Sequence, residues 1–203
     1  MNKNIDKIST DVFLLTGEWS YYTGQNILKF IGTSEELGSV EILISNNKPV
    51  FFVENKSIIN PLLKNYLRKE TKLKNFNHQP VDAIYLNTQK ELISLADSLH
   101  QSEIKTFESD VDPLRRFLME KNINSQLRIT GITDQKNSIT KFSNPTIEPC
   151  EVTPNFVIAS IDIETGATTN QLYSIAVHVT GKKGEHKKAF MIGDKQKRSP
   201  KLI

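Results

Sequence analysis

One cysteine, one tryptophan and four scattered histidines are all the chain offers of the residues that most often announce a site. The lone Cys150 excludes an internal disulfide and fits a reducing compartment. Its neighbours, Glu148-Pro149-Cys150-Glu151, supply no base to activate it, so a free structural thiol is expected. His78, His100, His178 and His186 form no i, i+4 pair and have no cysteine partner, which argues against a histidine-ligated metal centre. No apolar run approaches the roughly 18 residues that cross a membrane. The stretch Met1-Asn-Lys-Asn-Ile-Asp-Lys7 leads into no signal-peptide apolar core, so a cytoplasmic protein without a membrane partner is expected. What is present is ordinary: 203 residues, 37% hydrophobic and 24% charged, enough for one or two domains with real cores.

Charge is the first uneven feature. The net charge is +3, yet residues 182–201 hold eight basic side chains against only Glu185 and Asp194, so the rest of the chain is net negative. Lys182, Lys183, Lys187 and Lys188 open this basic stretch, and Lys195, Lys197, Arg198 and Lys201 close it. Such a cluster steers polyanions. It also suits a solvated hairpin loop and a polar chain end.

The order of elements predicts a mixed α+β fold. Asp11–Thr16, Gln25–Ile31, Ser39–Ser45 and Pro49–Val53 are short runs rich in β-branched and aromatic residues, separated by turn residues. They predict a small antiparallel sheet or barrel within residues 1–60. Asn60-Pro61 then predicts a helix through Leu62, Leu63, Tyr66 and Leu67. A strand at Pro80–Leu86, a helix capped by Thr88 with a Leu92, Leu95, Ala96, Leu99 stripe, and a strand at Ile104–Glu108 make a β-α-β unit. In the acidic cluster Glu108-Ser-Asp110-Val-Asp112, Asp112 before Pro113 is a ready N-cap, which outweighs a metal role. Gln126–Gly131 reads as another strand. The polar, proline-punctuated residues 133–154 read as a linker or edge hairpin that ends this α/β subdomain, residues 61–154.

From residue 155 the text changes. Phe156-Val-Ile-Ala-Ser-Ile-Asp-Ile-Glu-Thr165 runs an apolar strand into two carboxylates, and strand alternation puts Asp162 and Glu164 on one face. Residues before them are apolar on both faces, as in a central, doubly covered strand. Side-by-side acids repel and lose hydration unless a cation or basic partner intervenes. A hard divalent cation such as Mg²⁺ fits that demand, and the pair points to metal-assisted phosphoryl chemistry. Two solvated acids at a strand end are the plainer alternative. Two further strands, Gln171–Val179 and Lys188–Gly193, follow across hairpin turns, as in the opening of a ribonuclease-H-like sheet.

With these features in place, the chain resembles the amino-terminal part of a family B DNA polymerase, its bacterial branch most of all. Four stretches carry the likeness in the family's order: Val12-Phe-Leu-Leu-Thr16 with Trp19; His78-Gln-Pro-Val81 with Tyr85; Asp110-Val-Asp-Pro113 followed by Arg116-Phe-Leu-Met-Glu120; and Asp162-Ile-Glu-Thr165. The resemblance implies an N-terminal domain that helps hold template DNA, followed from about residue 155 by the start of a ribonuclease-H-like 3′→5′ proofreading exonuclease domain. Asp162 and Glu164 match the family's first exonuclease motif, whose acids bind two catalytic Mg²⁺ or Mn²⁺ ions, and Thr165 is placed to meet the terminal nucleotide. It implies primer–template DNA and single-stranded 3′ ends as partners and a nucleoid-associated protein. A sliding clamp would be met through parts absent from this sequence.

The family's downstream exonuclease carboxylates and its paired polymerase aspartates are absent from these 203 residues. A truncated, inactive piece with at most weak DNA binding is therefore expected. Two rivals stand beside it. A self-contained metal-dependent 3′→5′ exonuclease would need further acids, for which only Glu185 and Asp194 follow residue 165. A non-catalytic nucleic-acid-binding module would stack bases on Trp19, Tyr21, Tyr22 and Phe30, of which Phe30 also suits a core.

Overall fold

The structure, a computed structural model, describes residues 7–45, 47–136 and 138–193. The chain divides into two compact units, residues 1–152 and 153–203. The first unit opens with β1 (Ile8–Tyr22), β2 (Gln25–Ser34), β3 (Gly38–Ile44) and β4 (Val50–Glu54). Then come β5 (Leu67–Lys74), β6 (Pro80–Tyr85), helix α1 (Gln89–Gln101), β7 (Thr106–Phe107) and helix α2 (Pro113–Glu120). It closes with β8 (Gln126–Gly131), β9 (Thr133–Lys136), β10 (Ile139–Ser143) and β11 (Thr146–Pro149). The second unit holds β12 (Ile158–Thr165), β13 (Leu172–Gly181) and β14 (Gly184–Met191). With only two α-helices among the described residues, the balance is mostly β rather than an even α+β mixture.

Period-two alternation builds the larger sheet. Asn26, Leu28, Phe30 and Ser34 of β2, and Val40, Ile42 and Ile44 of β3, are buried on its inner face. Gly32 is needed where β1 crosses β2, since a Cβ there would lie 2.5 Å from Val12 Cγ1 and 2.7 Å from the Phe13 carbonyl. The seven strands run β11-β8-β1-β2-β3-β10-β9 and curl into a half barrel. Of the linker or edge hairpin expected there, the hairpin forms: β9 and β10 pair antiparallel with β9 at the sheet's edge. β10 pairs in parallel with β3 inside the sheet, and β9 and β11 form its two edges.

The fourth expected strand of the barrel goes elsewhere. β4 is buried at Val50, Phe51, Phe52 and Val53, and so wants cover on both faces. It sits in a second sheet of order β5-β6-β4-β7. The sheets therefore do not separate at residue 60. β6 and β7 both run antiparallel to β4, hence parallel to each other, and α1 connects them as the expected β-α-β unit. Thr88 Oγ1 accepts the Glu91 amide at 3.0 Å, and the Glu91 carboxylate accepts the Asn87 amide at 3.1 Å.

The helix expected from Pro61 stops after one 3₁₀ turn, Pro61–Leu63, capped by Asn60 Oδ1 accepting the Leu62 amide at 2.9 Å. From Leu67 the chain is extended as β5, because the outer edge of β6 needs a partner. Arg68 of β5 also ion-pairs the buried Asp82 of β6 at 2.7 Å. Asp112 does cap α2, accepting the Leu114 and Arg115 amides at 2.9 and 3.3 Å. That short helix serves both sheets. Phe117 joins the seven-stranded sheet's core, its ring 5.8 Å from Phe30, while the neighbouring Arg116 stacks 5.3 Å over Phe52 of β4 and pairs Glu108.

Candidate metal and nucleic-acid site

β12 places the acid pair. Asp162 pairs across to Ala176 and Glu164 to Ser174, so both carboxylates share one face with Ser160, Ser174, Ala176 and His178. The register slips between Glu164 and Thr165, which takes Thr165 out of strict alternation as the chain enters its turn. The Gly166 amide donates to the Gln171 carbonyl at 2.8 Å and closes that turn. A Cβ at Gly166 would fall 2.9 Å from the Tyr173 hydroxyl.

One expectation fails here. Among the described residues β12 is an edge strand, exposed along its whole length, rather than the doubly covered central strand expected. A run apolar on both faces can be covered only if other layers lie over it, and among the described residues of this unit there is none. Ile161 and Ile163, on the face opposite the acids, are more than half exposed.

The basic stretch is not gathered around the acids. Lys182 and Lys183 sit in the β13–β14 turn, where Gly181 pairs Gly184. That turn lies seven residues along β13 from Glu164's partner Ser174, or roughly 24 Å at strand rise. Lys187 and Lys188 point to opposite faces of β14. Lys187 pairs Glu185 at 2.9 Å, whereas Lys188 caps the Phe190 ring at 4.8 Å. Residues 194–201 lie outside the described residues.

Glu185 cannot complete a metal set with the pair. It faces Thr180, four residues along β13 and two strands across from Asp162, about 16 Å away by strand geometry. Its carboxylate is already used, with Lys187 and then His178 holding it below the ordinary carboxylate range. The His178 Nε2 contact is 2.5 Å. Among the described residues no three His, Cys, Asp or Glu side chains converge as a metal centre. The donors of Asp162 and Glu164 suit a hard divalent cation, but two carboxylates fill only part of its coordination shell.

The aromatics divide. Phe30 is core, while Trp19, Tyr21 and Tyr22 are exposed on the β1–β2 hairpin beyond the β1 bulge. The Trp19 indole is tied down, donating to Asp112 Oδ2 at 3.1 Å. Cys150 is half-buried, and burial and the nearby Asp11 carboxylate push its thiol up, as a structural thiol requires. One basic surface is not apparent from the sequence: β5 and its turn into β6, with exposed Lys69, Lys72 and Lys74 and a fully exposed Phe76. Its signal, lysines punctuating Leu67-Arg-Lys-Glu-Thr-Lys-Leu-Lys74, begins where the expected Leu62–Leu67 helix ends.

No protein-family model matches the chain. Its sequence is 26% identical to DNA polymerase II of Escherichia coli (strain K12) over 180 residues, which covers 84% of this chain and 22% of that protein. The chain thus spans about a fifth of that relative's length. In fold it matches the family B DNA polymerase of the hyperthermophilic archaeon Pyrobaculum calidifontis with a TM-score of 0.66 at 14% identity. That match covers 93% of this chain and 27% of the archaeal one. The chain is thus similar in sequence to part of DNA polymerase II and in fold to part of a family B DNA polymerase.

Proposed function

We propose that this chain is the template-holding N-terminal region of a family B DNA polymerase joined to the opening strands of its 3′→5′ proofreading exonuclease. One observation carries the exonuclease part: Asp162 and Glu164 share a face at the end of an extended strand in a three-stranded antiparallel sheet. The chain's likeness to DNA polymerase II over 84% of its length supports the polymerase part. In the complete site the two carboxylates would hold Mg²⁺ or Mn²⁺, which supplies an activated water and neutralises the departing 3′ oxygen of the terminal nucleotide. The carboxylates themselves contribute hard oxygen donors on one rigid face, and the Thr165 hydroxyl beside them offers a hydrogen bond to that nucleotide. Lys182 and Lys183, which have no carboxylate partner among the described residues, suit phosphate contacts better than the engaged Lys187 and Lys188.

The 203 residues alone neither polymerise nor proofread at a useful rate, because two carboxylates fix too few positions around a cation. In the protein that carries this chain, Asp162→Ala lowers digestion of a single-stranded 3′ end by roughly a hundredfold or more and leaves nucleotide incorporation within about twofold. Undiminished digestion by that variant overturns the exonuclease assignment. Brisk Mg²⁺-dependent digestion by the purified 203-residue chain overturns its expected inactivity. A non-catalytic nucleic-acid-binding module is the second reading, favoured by the exposure of Tyr21 and Tyr22.

A further inference from the structure

We infer that the β5–β6 hairpin is a docking element for single-stranded nucleic acid, with Phe76 as a stacking platform and Lys69, Lys72 and Lys74 as phosphate-binding groups. The inference rests on DNA being this protein's partner and names a surface for it outside the acid-bearing sheet.

The hairpin tip is built to hold still. Asn75 Oδ1 accepts the Asn77 and Gln79 amides, both at 2.9 Å, and the Asn75 amide donates to the Gln79 carbonyl at 2.9 Å. The Asn75 side chain also donates to Glu54 Oε1 on β4 at 3.1 Å, which anchors the tip to the sheet. His78 completes the turn with φ at 59°. At the crest of this tied turn Phe76 is 100% exposed, more than any other large apolar side chain described. The tip therefore presents an aromatic face to solvent at little cost in ordering, which is the preorganisation a stacking site needs.

The charge pattern selects the occupant. Arg68 is spent on Asp82 and Glu70. Elsewhere in this unit Lys29, Lys56 and Lys141 each pair a glutamate. Lys69, Lys72 and Lys74 are exposed and pair no carboxylate among the described residues. Lys69 lies opposite Ala83 and Lys74 opposite Pro80, on opposite faces of β5 with a register shift between Glu70 and Lys74, so the charges flank the strand that leads to the aromatic. Lysines on an edge strand discourage a protein strand from pairing there. That reason covers the lysines but leaves the bare Phe76 unexplained, whereas a polyanion with free base faces uses both. A duplex hides its base faces, so the occupant is single-stranded.

The test measures binding of the full 203-residue chain to a fluorescent oligothymidylate across a salt series. Phe76→Ala is expected to weaken binding roughly tenfold without altering the circular dichroism spectrum. Replacing Lys69, Lys72 and Lys74 by Gln is expected to flatten the salt slope by about two, near 0.7 for each phosphate no longer neutralised. Wild-type binding that both variants retain, with the salt slope unchanged, overturns the hairpin assignment while leaving DNA as the partner. No binding of the wild-type chain at low salt overturns both. Self-association relieved by Phe76→Ala, with oligonucleotide binding unchanged, assigns the tip to a protein interface and overturns the inference.

Discussion

Ile42 and Ile161 are the same residue in the same kind of strand, and they live differently. Ile42 on β3 is fully buried, with Phe30, Phe117 and Phe142 in one core. Ile161 on β12 is 63% exposed, although its strand also carries four apolar side chains. An apolar run specifies extended backbone and a preference for cover, but the cover must come from another layer. In the first unit α1, α2 and the curl of the sheet provide it. In the second, the described residues amount to three strands and their turns.

The sharpest break of this comparison is Ile42→Ala, which should cost about 2–5 kcal/mol. Denaturant unfolding followed through Trp19, the only tryptophan, reads it directly. The matching Ile161→Ala should change amide exchange in β13 by no more than a few-fold, since exposed substitutions shift stability by about 0.5 kcal/mol or less. A second large effect is expected at Arg116, where Arg116→Met keeps bulk but loses the Glu108 pair and the stacking on Phe52. The same unfolding assay should show a loss of about 2 kcal/mol. Asp112→Ala removes the cap of α2 and the indole's partner together, and should cost about 1 kcal/mol with a shift in Trp19 emission.

The smallest expected effect depends on pH. Arg128, donating to Asp11 at 2.7 Å, holds that carboxyl below its ordinary value of 3.8. A depressed carboxyl stabilises the fold fully above the unfolded value, and the contribution fades as pH falls through the folded one. Asp11→Asn should therefore lose a few tenths of a kcal/mol near neutrality, and the difference from wild type should vanish well below pH 3.8. Cys150 sharpens the picture from another side. Its raised thiol should react slowly with an alkylating agent at pH 8 and quickly once the first unit unfolds, as mass spectrometry would record.

Much of this was legible in the residues. Alternation in Gln25–Ser34, the Leu92–Leu99 stripe behind Thr88, and Asp112 before Pro113 are local signals, and local hydrogen bonds answer them. The failures were non-local. β4 reads like the strands before it, yet it joins another sheet, because sequence neighbours do not say which edge a strand will meet. β5 lacks the apolar alternation of the other strands, and only the open edge of β6 and the buried Asp82 make it a strand.

The candidate site divides in the same way. Strand periodicity alone put Asp162 and Glu164 on one face, since alternation is a property of the extended backbone. It could not say that Lys182 and Lys183 would lie in the turn at the far end of that sheet, that Glu185 would be taken by Lys187 and His178, or that Phe76 would stand bare beside unpaired lysines. Those facts depend on register and turn geometry over tens of residues, which pairing between strands decides after each strand's own pattern is set.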